Sequence, residues 1–228
     1  MGEDIIDFVK VNYFVIVYGI TWLISVFTYK KYFDTLLKYF PIIIAYTFFT
    51  ELLGGLVANY DDFQLIFGYN QTNYRSVIYN IYHLCFFLFF FFVYWKLISN
   101  KTHKIAIKYG SYAFVFINII NCFIKDPIIF SLVYAYIFGI LLLIYCILVY
   151  LKKILKEYNI NLLKYNLMFW VSIGLLLFHA TYLPLKIVKE FYPESYYIAF
   201  RHLHLGMIVL MYVIFSIGFI MSKRKAFR

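Results

Sequence analysis

Seven stretches of this chain stay apolar for about twenty residues at a time, and that run length decides what it can fold into. They lie at approximately 11–29, 40–58, 75–98, 107–124, 128–151, 164–186 and 197–221. At about 1.5 Å of rise per residue, each is long enough as a helix to cross the hydrocarbon core of a bilayer. Hydrocarbon offers no hydrogen bonds, so a lone segment of this length must satisfy its own backbone, and the α-helix does so. The expected fold is therefore all-α: a polytopic membrane protein with residues 1–228 forming a single seven-transmembrane-helix bundle. Composition agrees, with 64% hydrophobic and 14% charged residues, where a soluble domain has about half and a quarter.

A net charge of +10 would suggest nucleic acid as partner for a soluble protein. Here the basic residues fall in short clusters between apolar runs, so no nucleic-acid partner is expected and the charges set orientation. The connections "YKKYFDTLLK", "NKTHKIAIK" and "LKKILKEYN" and the tail "SKRKAFR" are basic. The alternate set, "MGEDIIDFVK", "NYDDFQLIFGYNQTNYR", "KDP" and "KEFYPES", is acidic or mixed. The expected topology has the N-terminus outside and the C-terminus cytoplasmic. "KDP" reads as a tight turn, with Pro127 opening the next helix. The start lacks a positive n-region, so the first run is expected to be a retained span.

No connection exceeds about 17 residues by this division, so any chemistry is expected within the membrane or at its faces. Cys85, Cys122 and Cys146 lie inside apolar runs and form no CxxC pair, which points to packing residues, not to a disulfide. No nucleotide-binding motif is present. The last span has no lysine between Arg201 and Lys223, which removes the attachment point a retinal pigment needs. No cofactor is expected.

Polar residues inside a span are costly and usually face the bundle interior. In the second span Thr47, Glu51, Gly54 and Ala58 share a helix face, and Gly55 widens it. The third span gives Ser76, Asn80 and His83, and the fourth gives Ser111, Asn118, Asn121 and Lys125. Ser172, His179, Tyr182 and Lys186 mark the sixth, and Arg201, His204, Tyr212 and Ser216 the seventh. With the expected topology, Glu51 lies ~12 Å below the outer surface. His83, His179 and His204 come to a similar depth, with Asn80, Asn118 and Asn121 near them. The expectation is one polar layer in the outer half, in which a His, Arg201 or Lys186 offsets the buried carboxylate.

Such a layer has three readings. It can be a hydrogen-bond network that fixes packing, at about 0.6–2 kcal/mol per bond. It can be a pocket for a ligand or a proton, since His titrates near neutral pH. It can hold a metal, although the histidines show neither HxxxH nor HExxH spacing. Seven-helix zinc hydrolases of the ceramidase and adiponectin-receptor group share the span count, but their spaced His pair, Asp and Ser are not evident here. No enzyme activity is expected.

The segments "FFTELLGGL", "YNIYHLCFFLFFFFVYW" and "VSIGLLLFHATYLP", with the basic tail, carry a family likeness. On them the chain resembles seven-helix membrane proteins of Bacteroidota-type bacteria, similar to the membrane sensor regions of some histidine kinases. The resemblance implies a multi-pass protein of the bacterial inner (plasma) membrane and a sensor or accessory module. No kinase part follows in this sequence, so output is expected through a cytoplasmic partner protein at the basic face. The expected function is a sensor whose outward-facing polar pocket takes a small ligand, proton or lipid. The pocket residues would be Glu51, Asn80, His83, Asn118, Asn121, His179, Arg201 and His204. The alternative is an ion channel or transporter, oligomeric or single, conducting through the Glu/His layer, with an intramembrane metalloenzyme third.

Overall fold

The computed structural model describes residues 13–59, 74–158, 160–195 and 199–224. These residues are helical, with no strand among them. The long helices are α1 (Tyr13–Phe27), α2 (Phe40–Asn59), α3 (Tyr74–Leu97), α4 (Lys101–Ile124), α5 (Val133–Glu157), α6 (Leu167–Phe191) and α7 (Arg201–Met221). Six of them, α2 to α7, are long and apolar enough to cross a membrane. The described part of α1 has 15 residues, or about 22 Å, short of the ~30 Å hydrocarbon core. Residues 1–12, which include the start of the first expected span, lie outside the described residues.

Two helix starts differ from the sequence expectation. The fourth span was expected from 107, but α4 begins at Lys101, because the Asn100 side chain caps it by accepting from the N–H groups of Thr102 and His103. The fifth was expected from 128 with Pro127 as its first residue, but α5 begins at Val133. The Asp126 carboxylate accepts from Ile128 N–H, and its carbonyl accepts from Ile129 and Phe130. That turn satisfies the backbone groups a helix would otherwise claim. Pro184 sits inside α6 without ending it.

The chain divides into two compact units, Met1–Ile44 with Ile147–Arg228, and Ala45–Cys146. In the first, α7 packs against both α6 and α1. Thr21 and Ser25 on α1 are fully buried. The hydroxyls of Thr21 and Ser216 share a 3.0 Å hydrogen bond, polar adhesion of the kind that joins helices in lipid. Phe40 lies against Phe215 and Phe219, with ring centroids 5.4 and 5.7 Å apart. Tyr32 is buried and its hydroxyl donates to the Ser25 carbonyl. Burial pushes its phenol above the ordinary range, so it stays neutral and serves as a peg.

One end of this unit gathers three basic connections. Lys31 donates to the Phe219 and Ile220 carbonyls at the C-terminus of α7, where a cation complements the helix dipole. Arg224 Nε pairs with Asp34 at 3.1 Å, and Lys223 N–H donates to the Tyr165 carbonyl. Segments 28–39, 160–166 and 222–224 therefore meet there.

The second unit has an aromatic core. Phe87, Phe90 and Phe91 on α3 are buried, and Phe87 meets Phe114 of α4 and Tyr136 of α5 at 5.5 Å. The outer surface of α4 is apolar and open, with Phe116, Phe123 and Ile124 exposed, as a lipid-facing helix requires.

The contact of α6 with α7 depends on Gly218, where an added Cβ would lie 2.6 Å from Cβ of Trp170, an atom next to the backbone. Gly206 on the same helix faces open space. Gly218→Ala should cost about 1–3 kcal/mol through overpacking. Gly206→Ala should be neutral or gain up to about 1 kcal/mol through helix propensity. Unfolding midpoints of the two variants in mild detergent check this pair.

Candidate functional site

The polar residues of the unit Ala45–Cys146 converge on α3. Ser76, Asn80 and His83 lie on one face of this helix at the i, i+4, i+7 spacing. Asn80 grips the connection ahead of α5: its amide N–H groups donate to the carbonyls of Pro127 (2.8 Å) and Phe130 (2.9 Å). Its oxygen accepts from Leu132 N–H at 3.1 Å. Ser76 adds a bond to the Ile129 carbonyl at 2.9 Å. Both ends of the Asn80 amide are thus engaged by backbone, and its first role is to anchor residues 127–132.

One turn further along, the His83 ring lies 4.3 Å from that of Tyr136 on α5, centroid to centroid, and 5.4 Å from Tyr82. Asn80, His83, Asn118 and Tyr136 are the polar lining of a small cavity whose apolar lining is Phe87, Phe114 and Leu132. Its volume is about 10 Å³, room for about one water molecule and far below the ~300 Å³ at which small-molecule pockets begin. Asn118 directs its N–H to the Phe114 carbonyl of its own helix at 2.9 Å.

Glu51 joins this group through a phenol: Tyr79 donates to its Oε2 at 2.8 Å. Gly54 makes room for that approach, since a Cβ there would lie 2.8 Å from the Tyr79 hydroxyl. In parallel, the Thr47 hydroxyl donates to Tyr82 at 3.0 Å. Tyr79 and Tyr82 each stand beside His83 on α3, so two phenols link the polar face of α2 to the histidine's surroundings. A phenol donates and accepts at once, and such a chain can redistribute hydrogen bonds when one member gains or loses a proton.

Asn121 is 2% exposed, on the buried stripe of α4 with Ile107 and Phe114. Neither of its amide atoms has a partner among the described residues. Nothing in the structure explains this position.

The remaining expected site residues belong to the other unit. His179 is buried on α6 and its Nδ1 bonds the Leu175 carbonyl at 2.9 Å. A carbonyl only accepts, so Nδ1 carries the hydrogen. Ser172, Tyr182 and Lys186 of the same stripe are buried too. The His204 ring stacks on Tyr182 at 4.3 Å, and Tyr182 stacks on Phe178 at 5.3 Å. Arg201 is exposed at the start of α7 and makes no ion pair among the described residues.

Sequence reasoning did not single out Tyr79, Tyr136 or Thr21 as members of these clusters, nor the 2.7 Å bond between His103 Nδ1 and the Tyr145 hydroxyl. The signal was present for Tyr79, which stands four residues before His83 on the same face. Among the described residues no group of three His, Cys, Asp or Glu is placed to hold a metal ion. No protein-family model, curated protein or solved structure matches the chain.

Removing the Asn80 anchor tests its role. Asn80→Ala deletes the bonds to Pro127, Phe130 and Leu132 together and should cost about 1–3 kcal/mol. Asn118→Ala, which loses one bond within its own helix, should cost less. Protease sensitivity at residues 126–132 in detergent should rise in the first variant and not in the second.

Proposed function

We propose that this chain is a proton-responsive sensor module of the bacterial inner membrane. His83 and its cavity take up the signal, and a partner protein reads it at the basic cytoplasmic face. The Lys and Arg distribution supports a topology with the N-terminus outside, and α1 with the residues before it would supply a seventh span. The connection 127–132 would then lie toward the outside.

The observation that carries the reading is the size and lining of the cavity. Of the ligands the sequence admits, an organic molecule or a lipid tail needs far more than about 10 Å³. A proton with a water fits. His83 and Tyr136 are the titratable side chains on the lining; beside His83 stand Tyr79 and Tyr82 on α3, with Glu51 behind Tyr79. An imidazolium at 4.3 Å from the Tyr136 ring falls within cation–π range. Charging His83 therefore changes the attraction between α3 and α5, the pair that Asn80 also joins through the 127–132 connection. A stimulus moves an equilibrium only by its differential interaction with two states, and this contact supplies one.

Histidine-labelled protein in lipid nanodiscs tests the reading by nuclear magnetic resonance, with His83→Gln to assign the signal. His83 should pass reversibly between neutral and charged forms between about pH 5 and 8, and the amides of residues 126–133 should follow it. A His83 that keeps one charge state across that range, or titrates with no movement of those amides, would refute the proposal.

A further inference from the structure

We infer that the basic end of the unit Met1–Ile44 with Ile147–Arg228 holds a specific site for the phosphate of an anionic phospholipid, built by Lys164, Lys223 and Tyr165. Both ammonium groups lie at the Tyr165 ring, with Lys223 Nζ 4.1 Å and Lys164 Nζ 5.2 Å from its centroid. They are therefore no more than about 9 Å apart. Two like charges within this distance repel, and an anion that contacts both reduces that cost. Among the described residues the carboxylates named at this end are engaged elsewhere: Asp34 pairs with Arg224, and Glu157 stands beside Lys153. Lys164 and Lys223 are exposed and make no ion pair among the described residues.

The backbone positions of the two cations are set before any anion arrives. The Lys164 carbonyl accepts from the Trp170 indole N–H at 2.9 Å, and Lys223 N–H donates to the Tyr165 carbonyl at 3.1 Å. Gly218 leaves the room that brings Trp170 against α7. Binding an anion here thus requires ordering of two lysine side chains but little of the backbone.

The position favours a lipid over a free ion. This end terminates α6 and α7, two of the helices apolar enough to cross a membrane. Leu162, whose carbonyl accepts from Tyr165 N–H, is an exposed apolar side chain beside it. Tyr and Trp with Lys at a helix end are the pattern of the headgroup level of a bilayer. Basic pockets of this kind between helices hold anionic headgroups.

The experiment is native mass spectrometry of the full chain released from detergent, titrated with phosphatidylglycerol or with phosphatidylcholine. Lys164→Gln/Lys223→Gln is compared with Lys152→Gln/Lys156→Gln, which removes the same charge from exposed lysines at the end of α5. Wild type should retain phosphatidylglycerol at least tenfold better than phosphatidylcholine. The Lys164/Lys223 variant should lose tenfold or more of that affinity, and the control variant less than threefold. Equal loss in both variants would reduce the effect to diffuse charge and overturn the site. Equal retention of the two lipids would also overturn it. Displacement of phosphatidylglycerol by millimolar inorganic phosphate would overturn the lipid as its occupant. Tyr165→Leu, which keeps both charges, should weaken phosphatidylglycerol retention severalfold, and no change in that variant would contradict the role of the ring.

Discussion

The medium around these helices offers no hydrogen bonds, so a polar side chain placed in a span is costly unless it finds a partner inside the protein. That constraint explains the reach of each polar contact. Thr21 meets Ser216, Tyr79 meets Glu51, Thr47 meets Tyr82, and Asn80 divides its amide among three backbone groups of one connection. Apolar contact between helices is worth little when lipid is equally apolar, so these bonds and close approaches such as Gly218 on Trp170 specify which faces meet. The aromatic packing of Phe87, Phe114 and Tyr136 fills the remaining space.

From this follows how a greasy chain keeps a carboxylate at Glu51. The Tyr79 hydroxyl supplies a hydrogen bond, and that phenol reaches it because Gly54 has no side chain. The same phenol stands near His83, so the group that stabilises the carboxylate also shares the surroundings of the titratable ring. A network of this kind fixes packing, and in the function proposed above it also answers a proton.

Of the seven spans expected, six are long and apolar enough to cross a membrane among the described residues. Helix type was legible in the sequence, because length and hydropathy over twenty residues leave few alternatives. The ends were less so. Lys101, Lys104 and Lys108 read as a connection, yet the first turns of α4 carry them, since a helix capped by Asn100 can extend out to the interface with its lysines in water. Pro127 read as a helix start, but the turn built on Asp126 and the grip of Asn80 took residues 127–132 out of the helix. In the site, the spacing of Ser76, Asn80 and His83 was legible as one face. The phenols around it were not, because 25 tyrosines at span ends read as interfacial anchors, and spacing alone does not tell an anchor from a hydrogen-bond partner.

The central claim is the proposal that the His83 cluster responds to protons without conducting them, which a water-sized cavity lined on its apolar side by Phe87, Phe114 and Leu132 supports. Proton flux into liposomes carrying the purified protein tests it most directly, with an interior pH dye, at external pH about one unit below and one unit above 6.5. The account predicts no flux above that of empty liposomes at either pH, for wild type and for Glu51→Gln alike. A steady proton flux in wild type that Glu51→Gln abolishes would contradict it and make the cluster part of a conducting path.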